Sequence, residues 1–187
     1  MQGLVNFATA IADCIAVALP ALCYLMACLC FMFAGWTFRS WAYHDHHQHH
    51  HQHHHFHNRP WVPFVSLILS GVFASFPQFL NMANVSAGTN LVTSLTSYQA
   101  TTPGSASNVL GATPQNTVIN VVTLFQYFFE AFGAACVWWA IVRWRAIVNG
   151  RNEGSPTACA VQFVFGVMCI NILTVANGVV AFFQTGG

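Results

Sequence analysis

The chain has 187 residues, 56% of them apolar and only 5% charged, with a formal net charge of +1. Soluble domains carry charge on roughly a quarter of their residues, so this composition excludes water as the main solvent. The dense basic face that a nucleic-acid backbone requires is also missing, and direct nucleic-acid binding is not expected.

The first twelve residues carry no positive charge and lead into an apolar block at 14–38. That block exceeds the roughly 7–15 residues of a signal-peptide core, so the N-terminus is expected to be retained. Three more blocks follow at 60–81, 118–142 and 157–183. Each supplies the roughly 20 residues a helix needs to cross about 30 Å of hydrocarbon. They are apolar on every side, without the alternation of an outer-membrane barrel strand. The expected fold is therefore all-α: a single membrane domain over 1–187 with four transmembrane helices arranged as two tandem hairpins.

The hairpins share a weak pattern. Each has an apolar span, a Trp/Arg exit (Phe38-Arg39-Ser40-Trp41 or Val142-Arg143-Trp144-Arg145), a turn entered near Pro60 or Pro156, and a second span with Gly71-Val72 or Gly166-Val167. Such a repeat implies an axis along the membrane normal.

Orientation follows from the five arginines. Arg39 and Arg59 flank the first turn, and Arg143, Arg145 and Arg151 occupy the last. The positive-inside rule makes both turns cytoplasmic and both termini external, periplasmic in a bacterial inner membrane. All five are expected to contact lipid headgroups. Trp36, Trp41, Trp61, Trp138, Trp139 and Trp144 cluster toward the same ends, as an interfacial belt does.

All ten histidines fall between His44 and His57. The repeated imidazoles of His46, His47, His49, His50, His51, His53, His54 and His55 offer adventitious Zn or Ni binding in many registers. A specific zinc site instead fixes three or four ligands and their supporting shell. The favoured reading is a polar, weakly basic cytoplasmic turn. The neutral segment at 82–117 reads as an external loop, either a packing surface or a solvated linker.

Glu130 is the one acidic residue deep in a span. A carboxylate there needs a protein or water partner. Asn171, about as far beyond the last turn as Glu130 lies before it, is the expected partner. A buried polar pair that fixes helix packing is preferred to an ion relay, because a lone carboxylate makes a poor relay. Asp13 is expected to cap or anchor the outer end of the first span. Gly71, Ala74 and Ser75, with Gly133, Ala134 and Ala135, permit close helix contacts. The seven cysteines lie inside or at the ends of apolar blocks, which argues against a disulfide framework. No phosphate loop, nucleophile elbow, paired carboxylates or HExxH motif is present, so the sequence makes no case for an enzyme.

The string Gly150-Arg151-Asn152-Glu153-Gly154-Ser155-Pro156-Thr157, followed by Gly166-Val167-Met168-Cys169-Ile170-Asn171-Ile172, resembles small inner-membrane proteins of the IcmC/DotE type from type IVB secretion and conjugal transfer systems. The resemblance covers roughly 120–183. The His-rich turn and the long neutral loop depart from it. It implies a structural, non-enzymatic subunit of a transfer apparatus in the inner membrane, with other secretion or conjugation subunits as partners. Membrane lipid is a further expected partner, and apart from a phospholipid bound at the arginine turns no cofactor is expected. A close variant is a homo-oligomer that forms a ring or a pilus-like polymer, extracellular in the latter case. The alternative is a small channel or metal transporter with the His tract as cytoplasmic collector.

Overall fold

The computed structural model describes residues 2–44, 61–89, 114–150 and 154–185, and these contain seven helices and no strand. They are α1 (Gln2–His44), α2 (Val62–Ala74), α3 (Phe76–Ser86), α4 (Pro114–Leu124), α5 (Gln126–Val148), α6 (Pro156–Ile170) and α7 (Ile172–Thr185). α1 packs chiefly on α2, α5 on α6, and α1 joins the two pairs through α5. The all-helical expectation holds for the described residues, and two helices, α1 and α5, are each long and apolar enough to cross a membrane.

The segments expected as spans two and four are not straight. α2 and α3 meet at 88° across Ser75, and α6 and α7 at 86° across Asn171, so the count reaches four only if each bent pair is one span. The first break has a cause legible in the chain. Pro77 has no N–H, and its ring crowds the carbonyl four residues back, which favours a break just before it. The second has no proline. Asn171 donates its side-chain Nδ2 to Val167 O at 2.9 Å, alongside its own backbone N–H at 3.1 Å. A short amide that competes for helix carbonyls in this way favours a helix end over its continuation. Ser75 behaves similarly, placing both its N–H and its Oγ on Gly71 O. At each break the ladder bonds of the junction residue persist: Ser75 N to Gly71 O and Phe79 N to Ser75 O, and Asn171 N to Val167 O and Val175 N to Asn171 O.

Three boundaries differ from expectation. α1 is 43 residues long, about 65 Å at 1.5 Å per residue, and continues through Pro20 to both sides of the expected span at 14–38. The external segment at 82–117 is shortened by the end of α3 and by α4, and its middle, 90–113, lies outside the described residues. α4 is separated from α5 by a break at Phe125 and packs on α7.

The turns use ordinary chemistry. Ser155 caps α6, its Oγ accepting from Thr157 N at 3.3 Å, with Pro156 at the first helical position. Gly150, at φ +69°, closes α5 in the left-handed region that favours glycine. The core lies where α1, α2, α5 and the bent parts meet: Cys23, Ala27 and Cys30 against Leu69, Phe73 and Phe76, with Val137, Ile141 and Ile170.

Candidate functional site

Two contacts between α1 and α5 fix their relative register. The Arg145 guanidinium lies over the Phe33 ring at 5.9 Å, and Tyr127 OH donates to Asp13 Oδ1 at 2.7 Å. The helices are therefore parallel. The two contacts are 20 residues apart on α1 and 18 on α5, about 27–30 Å at helical rise. That separation equals the thickness of a bilayer's hydrocarbon core. Arg39, stacked over Tyr43 at 5.5 Å, and Arg143, beside Gly154, lie toward the same end as Arg145. Arg59 and Arg151 lie outside the described residues.

The opposite end carries a layer of uncharged and acidic groups. Asp13 is not a helix cap, because α1 begins at Gln2. It is a mid-helix acceptor for Tyr127. Glu130 does not bond Asn171. Its Oε1 accepts from Gln126 Nε2 at 2.8 Å, one turn back on the same helix. Tyr127 is only three residues from Glu130, so the carboxylate sits about 4.5 Å inside the far polar contact rather than at mid-depth. α6 stops at Ile170 and the chain turns away there, so equal distances from the last turn do not bring Glu130 and Asn171 together.

Asn171 is instead paired with Asn84 near the end of α3, Nδ2 to Oδ1 at 3.0 Å, and both residues are buried. This amide bridge ties together the two turned segments. Asn171 Oδ1 itself is buried and accepts from no group among the described residues. Asn84 escaped the sequence reading because it lay in what reads as a loop. The available signal was Pro77, which breaks the second span and lets α3 cross toward α6.

Immediately beside Asn171, α5 and α6 approach closely. A Cβ placed on Gly133 would lie 2.6 Å from Gly166 O and 2.8 Å from Ile170 N, and one placed on Gly166 would lie 2.7 Å from Val137 Cγ2. Only glycine allows this separation at both positions. Gly133 therefore acts as expected, Ala134 is buried and Ala135 half-buried, whereas a Cβ on Gly71 would meet nothing within 4 Å, and Ala74 and Ser75 are exposed.

Between α2 and α6 runs an apolar cleft of about 460 Å³ with α5 as its floor. Phe79 of α3 and Phe163 of α6 close one end as a T-shaped pair with centroids 6.0 Å apart. Trp144 and Pro156 line the other end.

His44 ends α1, and the rest of the histidine tract, including His46, His47, His49, His50, His51, His53, His54 and His55, lies outside the described residues. Among the described residues no group of three or more His, Cys, Asp or Glu is placed to hold a metal, and the seven cysteines are unpaired. No family model, curated protein or solved structure matches the chain.

Proposed function

We propose that this chain is a non-enzymatic membrane subunit of a secretion or conjugal transfer apparatus, assembled through lateral contacts of α1 with other copies. The observation that supports assembly most strongly is a length mismatch. Exposed apolar side chains run along α1 from Leu4 and Phe7 to Trp36, about 48 Å of helix. A bilayer covers about 30 Å, and the average tilt of about 20° shortens the stretch by only a few ångströms. Leu4 and Phe7 project beyond the Asp13–Tyr127 contact, where lipid tails do not reach, and a neighbouring protein surface is the natural cover.

The transfer apparatus enters through the Gly166 to Ile172 string. Its members Gly166, Cys169, Ile170 and Asn171 are all buried, at the α5–α6 crossing and the break. A motif of that kind is architectural, which suits a structural subunit. Both arginine-bearing ends are cytoplasmic in this reading, and the membrane is a bacterial inner membrane.

The test is native mass spectrometry and electron microscopy of the protein in mild detergent and in lipid nanodiscs. Rings or filaments that dissociate on Leu4→Ser with Phe7→Ser are expected. A discrete monomer in both media would overturn assembly, and a monomer that conducts metal ions would favour the transporter instead.

A further inference from the structure

We infer that the cleft between α2 and α6 is a binding site for one anionic phospholipid, with an acyl chain in the cleft and the phosphate at Arg143. Three features carry this.

The walls come first. Ile68 and Val72 of α2, Ile141 and Trp144 of α5, and Cys159 and Val164 of α6 line the space, so the occupant must be apolar along its length. A dry cleft of about 460 Å³ open to hydrocarbon would otherwise lose its van der Waals partners.

The closed end selects the kind of occupant. α3 turns 88° away from α2, and Phe79 meets Phe163 across the cleft. From Pro156 at the mouth to Val164 near the pair is eight residues of α6, about 12 Å. A second apolar hollow of about 520 Å³ lies beyond the pair, against Val167 and Met168, but a straight transmembrane helix of a neighbour, about 30 Å long, would run into α3 where Phe79 meets Phe163. A flexible chain can end there.

The open end selects the headgroup. Arg143 lies against the short segment that enters α6: a Cβ on Gly154 would come within 3.5 Å of its Nη2 and 3.6 Å of its Nε. Pro156, two residues on, lines the mouth together with Trp144. Asp13 and Glu130 lie toward the opposite end and are hydrogen-bonded there, and Glu153, next to Gly154 in the chain, lies outside the described residues. A guanidinium against Gly154, two residues before the Pro156 that lines the mouth with Trp144, matches a lipid phosphate followed by its tail. Arg145, by contrast, faces α1 and Phe33, so the inference singles out one arginine of the pair.

The inference requires the chain to lie in a bilayer but not the assembly proposed above, and its test reads each subunit separately. Full-length protein in mild detergent is titrated with dioleoyl phosphatidylglycerol or dioleoyl phosphatidylcholine, and bound lipid per chain is counted by native mass spectrometry. One phosphatidylglycerol per chain is expected, held in preference to phosphatidylcholine. Arg143→Gln should reduce that preference about fivefold, the effect of one basic side chain near a lipid surface. Ala160→Trp, which fills the cleft, should abolish retention of both lipids. Val161→Trp, on an exposed part of the same helix, should leave retention unchanged and so controls for folding. Equal retention of both lipids by the wild type, or unchanged retention in Ala160→Trp, would overturn the proposal.

Discussion

The two helical hairpins, α1 with α2 and α5 with α6, share a topology yet are held together differently. In α5–α6 the backbones nearly touch, because Gly133 and Gly166 face one another. In α1–α2 larger side chains fill the gap, Cys23, Ala27 and Cys30 against Leu69 and Phe73, and one interhelical hydrogen bond runs from Ser70 Oγ to Ala27 O at 3.0 Å. The positions that the sequence repeat equates, Gly71 and Gly166, are therefore not equivalent: one has open space around its Cα and the other has none. Lipid-embedded helices have no hydrophobic drive toward each other, so association depends on packing and polar contacts. One hairpin relies mainly on the former and the other combines both.

This difference sets the order of expected mutational effects. Gly133→Leu or Gly166→Leu should separate α5 from α6 and abolish the folded particle in size-exclusion chromatography, whereas Gly71→Leu should leave the elution profile unchanged. A profile equally disturbed by Gly71→Leu would make the two glycines equivalent after all. On a finer scale, Gly133→Ala should cost about 1–3 kcal/mol through overpacking, and Gly71→Ala should be neutral or stabilise by up to about 1 kcal/mol through helix propensity. Thermal or steric-trap unfolding would measure both.

Next in size is the amide bridge. Asn171→Leu leaves Asn84 Oδ1 without the donor seen in the structure, and a loss of about 0.6–2 kcal/mol is expected from interhelical bonds of this kind. A double-mutant cycle with Asn84→Ala should give coupling within that range. Additive effects would mean that the two amides act independently. Ser70→Ala should cost about 0.6 kcal/mol, because Ala27 O retains its place in the helix ladder. The smallest effect is expected at Glu130. Glu130→Gln preserves an acceptor oxygen for Gln126, so stability and assembly should match the wild type in the same assays. Unchanged stability with a loss of proton or ion flux across liposomes containing the protein would instead identify Glu130 as part of an ion pathway.

Much of the helical architecture was legible in the chain, because it rests on block composition. Apolar runs of 20 or more residues read as helices whatever their neighbours, and the Ser155-Pro156 start of α6 announces itself locally. What was not legible depends on partners. Asn171 was recognised as a buried polar residue, but its mate Asn84 is 87 residues away and reachable only because α3 turns. A Glu130–Asn171 pair requires straight antiparallel spans, and the chain turns at Asn171. Pro77 was available as a signal for the first turn. The second turn is set by an asparagine whose side chain competes for Val167 O, and one polar residue in an apolar run does not distinguish a break from a buried contact.

The Asn84–Asn171 bridge joins the paired turns, and a direct distance between those side chains tests it. Solid-state NMR of the isotope-labelled protein in lipid bilayers can detect a through-space correlation between Asn171 Nδ2 and Asn84 Cγ. The account predicts that this correlation appears alongside one between Ser70 and Ala27, which reports that the α1–α2 pair is formed. Observation of the Ser70–Ala27 correlation without the Asn84–Asn171 one would contradict it.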